Sequence, residues 1–367
     1  MKKQEMIFLS LFSILIFFGL GFYFFFPNGW ERDLTLKIRR GESNSWALEQ
    51  IHEDLVPFSE SGITQEMLDK VMACDKGDLY LVRFQIKNNQ VEMRLPEGRS
   101  PHFVMLKLYQ VFKKLAETVS LPDVDFIVSA HDSLTGVDLP GPVFSFAKNK
   151  LLDRKVILIP DHEALARYNL EEIDQGKQRF PWHQKIEKIF WRGATSGRKF
   201  SSQDFLELER AKAVALSIKH PELVDAKFHL VAQCDDPDTL QASYPEYFGK
   251  STSLKKHLQY KYQLLIDGNS CAFARAYWQL FSESPIFKVD SPNIQWYYRA
   301  LLPNKHFIPV KADSSDLLQK IDWAKNHDRE VRRIAQNAYK FAQDNLQYSA
   351  IMYYLYLLLS EYAKLQR

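Results

Sequence analysis

Short apolar runs separated by segments with helical spacing recur along most of this chain, and that alternation narrows the fold more than any other feature. FIVSA (Phe126–Ala130), VFSFA (Val143–Ala147), KVILIP (Lys155–Pro160), Ile186–Trp191, FHLVAQ (Phe228–Gln233), YKYQLLI (Tyr260–Ile266), PIFKVD (Pro285–Asp290) and HFIPV (His306–Val310) read as strands. Phe103–Val119, Asp204–Lys219, Cys271–Phe281, Asp316–Trp323, Asp328–Asn345 and Tyr348–Leu365 read as helices. Two alternating stretches within Leu79–Arg94, split by Lys87-Asn88-Asn89, form a hairpin pattern. Alternation in both halves predicts α/β architecture. Two lobes meeting near residues 235–250 would leave a cleft between them.

Ahead of this pattern stands an uncharged run, Ile7–Phe26. As a helix it would reach about 30 Å, the thickness of a bilayer core. It closes on Phe24-Phe25-Phe26-Pro27 with no small-x-small cleavage site, so the reading is a retained anchor rather than a signal peptide. Lys and Arg are denser after the run (Arg32, Lys37, Arg39, Arg40) than before it (Lys2, Lys3), which places the bulk in the cytoplasm. The expectation is a single-pass bacterial inner-membrane protein, with membrane lipid as a partner through residues 7–26. The organisation expected is a tip and anchor over 1–27, a juxtamembrane linker over 28–50, an acceptor-side lobe over 51–235, a nucleotide-sugar lobe over 236–345, and a C-terminal helix over 346–367 packing back on the lobes.

Composition excludes several classes. A net charge of +3 over 367 residues is too small for nucleic-acid binding. Cys74, Cys234 and Cys271 form no CxxC unit, so neither a disulfide framework nor a zinc knuckle is expected. GxxxxGK[ST], HExxH and GxSxG are absent.

Three clusters can carry chemistry. Arg192-Gly193-Ala194-Thr195-Ser196-Gly197-Arg198 follows a strand; its glycines let backbone approach a ligand, and its arginines and hydroxyls suit phosphate oxygens. A solvated polar loop is the alternative. Asp267-Gly268-Asn269-Ser270 leads into a helix whose first turn carries Arg275, a pattern suited to a diphosphate or simply to capping. Asp132, just past FIVSA, can accept a proton from an attacking hydroxyl; His131 competes, and a turn-forming Asx is the bland reading. His306, within Pro303–Leu318, is a further sugar or phosphate contact. For Trp296, Tyr297 and Tyr298, core packing is the stronger reading.

LPDVDFIVSAHD, VFSFAK, IFWRGATSGR, KYQLLIDGNSCAFARAYWQLFSESPIFKV, HFIPVKADSSDLL and IDWAKNHD, in that order, resemble glycosyltransferase family 90 from about Leu121 through Leu346. The resemblance implies a GT-B-like fold, two Rossmann-like lobes facing a cleft, that holds a UDP-sugar without a required divalent metal or tightly bound cofactor. It implies Asp132 as catalytic base, with Arg198 and Arg275 on the donor phosphates. HDSLTG around Asp132 departs from the RDYP-like form of protein-modifying members. The expected activity is inverting transfer from a UDP-sugar to a lipopolysaccharide core or related lipid-linked glycan. The alternatives are a protein O-glycosyltransferase and a noncatalytic glycan- or nucleotide-binding protein.

Overall fold

The computed structural model describes residues 29–42 and 45–367. Two five-stranded sheets organise two apolar cores. The first sheet contains β1 (Leu81–Lys87), β2 (Gln90–Arg94), β3 (Val124–Ser129), β4 (Val143–Ser145) and, after the separate two-residue β5 (Lys148–Asn149), β6 (Val156–Leu158), in the order β2-β1-β3-β4-β6. β1 and β2 form the expected hairpin, closing at Lys87↔Gln90. Asn88 and Asn89 turn it with φ of 50° and 58°, the left-handed backbone that asparagine tolerates.

The second sheet contains β7 (Ile186–Ala194), β8 (Val224–Leu230), β9 (Tyr260–Leu265), β10 (Ile286–Val289) and, after β11 (Asn293–Ile294), β12 (Ile308–Val310). Its order is β12-β10-β9-β7-β8 and every pairing is parallel. From β7 the chain steps to β8 on one side, then returns past β7 to β9 on the other. That reversal leaves a crevice beyond the carboxyl ends of β7 and β9, where open parallel sheets bind ligands. Only this lobe is fully parallel; antiparallel β1 and β2 give the first lobe a mixed sheet.

Helices α1 (Trp30–Arg40), α2 (Ser45–Leu55), α3 (Gln65–Cys74) and α4 (Phe103–Thr118) build the first lobe, followed by the short α5 (His162–Leu165) and by α6 (Leu170–Arg179). The second lobe carries α7 (Glu209–Lys219), α8 (Pro237–Ser243), α9 (Leu254–Leu258), α10 (Phe273–Leu280) and α11 (Leu317–Asn326). Two last helices, α12 (Asp328–Asn345) and α13 (Tyr348–Ala363), lead back. α13 returns to the first lobe, where the Tyr354 hydroxyl donates to the Leu158 carbonyl at 3.2 Å. A seam joins the lobes: β5 pairs antiparallel with β11 through Lys148↔Ile294 and Asn149↔Asn293. Lys148 is held there by the buried carboxylate of Asp54.

Three expectations need correction. Residues expected as a juxtamembrane linker form α1 and most of α2, burying Trp30, Leu34, Ala47 and Ile51 in the first core. The four-residue spacing of Trp30, Leu34 and Ile38 presents one helical face, and that outweighs the local alternation. The boundary between sheets falls between Leu158 and Ile186 rather than at 235, because β7 and β8 belong to the second sheet. The single-pass anchor, the membrane-lipid partner and the inner-membrane location are also corrected: among the described residues no helix is long and apolar enough to cross a membrane. The run Ile7–Phe26, on which those expectations rested, lies outside the described residues.

Candidate active site

A cavity of about 400 Å³ opens at the switch point. Ser196, Gly197 and Arg198 from the loop after β7 line one side, Asp267 and Gly268 after β9 the floor, and Asp290–Asn293 after β10 the far side. The loop after β7 is drawn up against α7 by Arg210. Its guanidinium donates to the Asp267 carbonyl at 2.8 Å, the Ala194 carbonyl at 2.9 Å and Ser196 Oγ at 2.8 Å. Burial pushes Arg210 down to about 10. Gly268 lets these groups close in: a Cβ would stand 2.7 Å from Arg210 Nη2 and 2.8 Å from Ser196 Oγ, so one of them would have to shift. Arg198 reaches the cavity from outside, paired with Asp204 and, at 3.3 Å, with Glu207.

Arg275 is placed differently. It sits in the first turn of α10, half-buried and outside the residues that line the cavity, and its Nη2 donates to the Arg192 carbonyl. Its Nη1 is buried without a hydrogen-bond partner. Its guanidinium carbon lies 5.7 Å from the Trp191 ring centroid. Burial first, then the neighbouring Arg210, push it down to about 9. Such a cation gains from an arriving anion.

The other predicted residues of the first loop are structural. Arg192 pairs with Asp225 at 2.6 Å and donates to the Asp225 carbonyl at 2.9 Å. Thr195 ties β7 to the loop after β8 through Oγ1, which donates to the Ala232 carbonyl and accepts from the Ala232 N–H, each at 2.8 Å. Gly193 makes room for an indole, since a Cβ there would lie 2.2 Å from Trp191.

Asp132 stands exposed on the first lobe, and its Oδ2 accepts from Asn269 Nδ2 of the second lobe at 3.5 Å. The two predicted clusters therefore meet across the cleft. His131 turns away, its ring engaged with the Ser133 backbone. Beside Asp132, Glu163 of α5 accepts from the Ala274 N–H at 2.7 Å, capping α10 from the opposite lobe. Burial first, then the nearby Asp161 charge, raise Glu163 to about 7, with Asp132 adding a smaller upward push. Asp161 itself caps α5 through the Glu163 and Ala164 N–H groups and is raised by burial to about 6.

Ser270 is buried, and its carbonyl accepts from the Gly268 N–H at 3.0 Å, shaping the loop beneath the cavity. His306 is not brought to the site. It precedes β12, at the edge of the sheet opposite the cavity. Its Nδ1 accepts from the Leu302 N–H at 2.9 Å, and burial pushes the ring down to about 4. Trp296 and Tyr297 are fully buried and Tyr298 nearly so, as core packing requires.

Arg210 and Glu163 were missed. Arg210 is one charged residue on an otherwise ordinary helix, and Glu163 lies in a mixed polar stretch. Neither carries a local signal, because each acts through a carbonyl or an N–H distant in the chain.

The profile of glycosyl transferase family 90 matches residues 42–367. The chain belongs to glycosyl transferase family 90. Human protein O-glucosyltransferase 3 is 29% identical over 93% of this chain and 64% of its own length. Protein O-glucosyltransferase 2 of Danio rerio is 30% identical over 78% of this chain and 56% of its own. Human protein O-glucosyltransferase 1 is 25% identical over 86% and 79%. This family member thus spans less than two thirds of the first two relatives. Among solved structures, a glycosyltransferase from Rickettsia africae ESF-5 aligns at 13% identity over 63% of this chain and 66% of its own, with a TM-score of 0.37. That likeness is too slight to carry an argument.

Proposed function

We propose that this family 90 chain is an inverting glycosyltransferase that moves a sugar from a UDP-sugar to a hydroxyl group, with a polypeptide side chain as acceptor. The observation that carries the reading is the meeting of Asp132 with Asn269 across the cleft, beside a cavity at the switch point of a parallel sheet. In this reading the cavity takes the nucleotide and Asp132 removes the proton from the acceptor hydroxyl as its oxygen attacks the anomeric carbon. The bond from that carbon to the diphosphate oxygen breaks on the opposite face, which gives inversion. Arg275, Arg198 and the N–H groups of the loop after β9 stabilise the negative charge that grows on the leaving UDP. The family supplies the uridine.

Among the described residues no group of three or more His, Cys, Asp or Glu is placed to hold a metal ion, so in this reading diphosphate charge falls to the arginines. The relatives' names favour a protein acceptor over the lipopolysaccharide core expected from sequence.

The test is incubation of the purified full chain with a panel of UDP-sugars, with folded protein domains, peptides and truncated lipopolysaccharide as acceptors. UDP release and acceptor mass are both followed. A hexose mass gain on a polypeptide, reduced at least ~100-fold in Asp132→Asn with donor binding retained, supports the reading. Gain on the glycan alone would transfer the acceptor assignment to lipopolysaccharide. Donor binding with no mass gain on any acceptor would favour the noncatalytic alternative.

A further inference from the structure

The second sheet has a charged pocket at its other edge. Lys185 immediately precedes β7, and Ser282–Ser284 precede β10, so the pocket lies at the amino ends of the strands, whereas the donor cavity lies at their carboxyl ends. Its volume is about 250 Å³, below the range of pockets that hold drug-sized molecules. Lys177, Lys185 and Arg332 line it against a single carboxylate, Glu283, with Phe180 and Trp182 forming an aromatic wall.

Lys185 is the anomaly. The residue is 7% exposed, and its Nζ donates to a neutral partner, Ser284 Oγ, at 2.5 Å. Among the described residues no carboxylate lies within ion-pair distance of it. Lys177 by contrast is shared between Asp174 at 2.9 Å and Glu283 at 3.2 Å. Arg332 is exposed and forms no ion pair among the described residues; its guanidinium carbon lies 5.9 Å from the Trp182 ring centroid. Buried ammonium groups are normally matched by a carboxylate or a bound anion, because desolvating an unpaired charge is costly. Burial pushes Lys185 down to about 8; Glu283 opposes the shift, and the Lys177 and Lys261 charges add to it. Neither Asp132 nor any residue lining the donor cavity belongs to this pocket.

We infer that the pocket formed by Lys177, Lys185 and Arg332 binds a small phosphate-class dianion, either free phosphate or a phosphate monoester, at a site separate from the donor cavity. The anion's oxygens would accept from the Lys185 ammonium and the Arg332 guanidinium, supplying the counter-charge that the fold leaves out. The monoester's organic part would rest on Trp182.

The experiment is calorimetric and thermal-shift titration of the full chain with inorganic phosphate and, separately, glycerol phosphate. Ionic strength is matched with chloride, and each titration is run with and without saturating UDP. The expected result is one saturable site that persists under UDP, weakened ~tenfold or more in Lys185→Met and in Arg332→Gln, and unchanged in Arg198→Ala. In phosphate-free buffer Lys185→Met should melt no lower than the parent, because it removes an unmatched buried charge. Arg332→Gln, at an exposed position, keeps the test open should Lys185→Met fail to fold. Absence of saturable binding by either ligand would overturn the inference, as would binding abolished by UDP or undiminished in Arg332→Gln. Because the UDP-free arm stands alone, failure of the proposed glycosyl transfer leaves this result readable.

Discussion

Arg198 lines the cavity from the loop after β7, whereas Arg275 opens α10 and reaches the Arg192 carbonyl of β7, and the two arginines stand in opposite states. Arg198 is 42% exposed at its side chain and already neutralised by Asp204 and Glu207. Arg275 is half-buried, held by one backbone carbonyl, with its buried Nη1 unmatched. An anion reaching Arg198 must compete with two carboxylates and with water. An anion reaching Arg275 meets a guanidinium with one nitrogen shielded from water and, among the described residues, no carboxylate in an ion pair with it. The attraction available to a ligand therefore depends on what neutralises the cation beforehand, more than on the presence of the cation.

That contrast can be broken by experiment. Arg275→Met should weaken UDP binding the most, by roughly 100-fold, with little loss of melting temperature, as measured by calorimetry beside thermal unfolding. Equal losses from Arg275→Met and Arg198→Ala would break the comparison. Gly268→Ala should weaken donor binding by about tenfold, because the new methyl displaces Arg210 from Ser196; a structure of the variant with the guanidinium unmoved would contradict this. Arg198→Ala should have the smallest effect on affinity, a few-fold at most, since exposed pairs contribute about 0.2–1 kcal/mol. Its effect should fade with added salt, whereas that of Arg275→Met should persist.

Glu163 sharpens the same contrast from the first lobe. Its carboxyl titrates near 7 in the fold against 4.5 for the free side chain. Between those values the native state keeps a proton that the unfolded chain has released. The stability contributed by this group is thus full below about pH 4.5 and is lost as pH rises through about 7. Denaturant unfolding of parent and Glu163→Gln at about pH 5 and about pH 8 should show a flatter pH dependence in the variant. An unchanged slope would mean that Glu163 is not held protonated.

Much of the fold was legible because its signals are local. The hairpin around Asn88-Asn89, the strand Val124–Ser129 and the helix Phe103–Thr118 appear within a residue or two of expectation. Asp132 and the loop Gly268-Asn269, singled out from sequence, lie where expected along the chain, each just past an apolar strand. The linker over 28–50 was misread because Leu34, Leu36 and Ile38 alternate locally, while burial follows the helical spacing of Trp30, Leu34 and Ile38. His306 was chosen for its chemistry, but its position ahead of β12 directs it into packing. Lys185 carried no signal: a lysine before a strand looks the same whether solvent or Ser284 receives its ammonium.

The sequence by itself determined that strands and helices alternate, where many of those segments lie, and that Asp132 lies just past a strand end. These depend on spacing within one segment, where hydrophobic periodicity acts directly. Only the tertiary structure decided that β7 and β8 join the second sheet, that Asn269 meets Asp132, and which cations are neutralised. Those outcomes depend on groups far apart in the chain, and the strength of a charge is set by the burial and partners that folding brings around it.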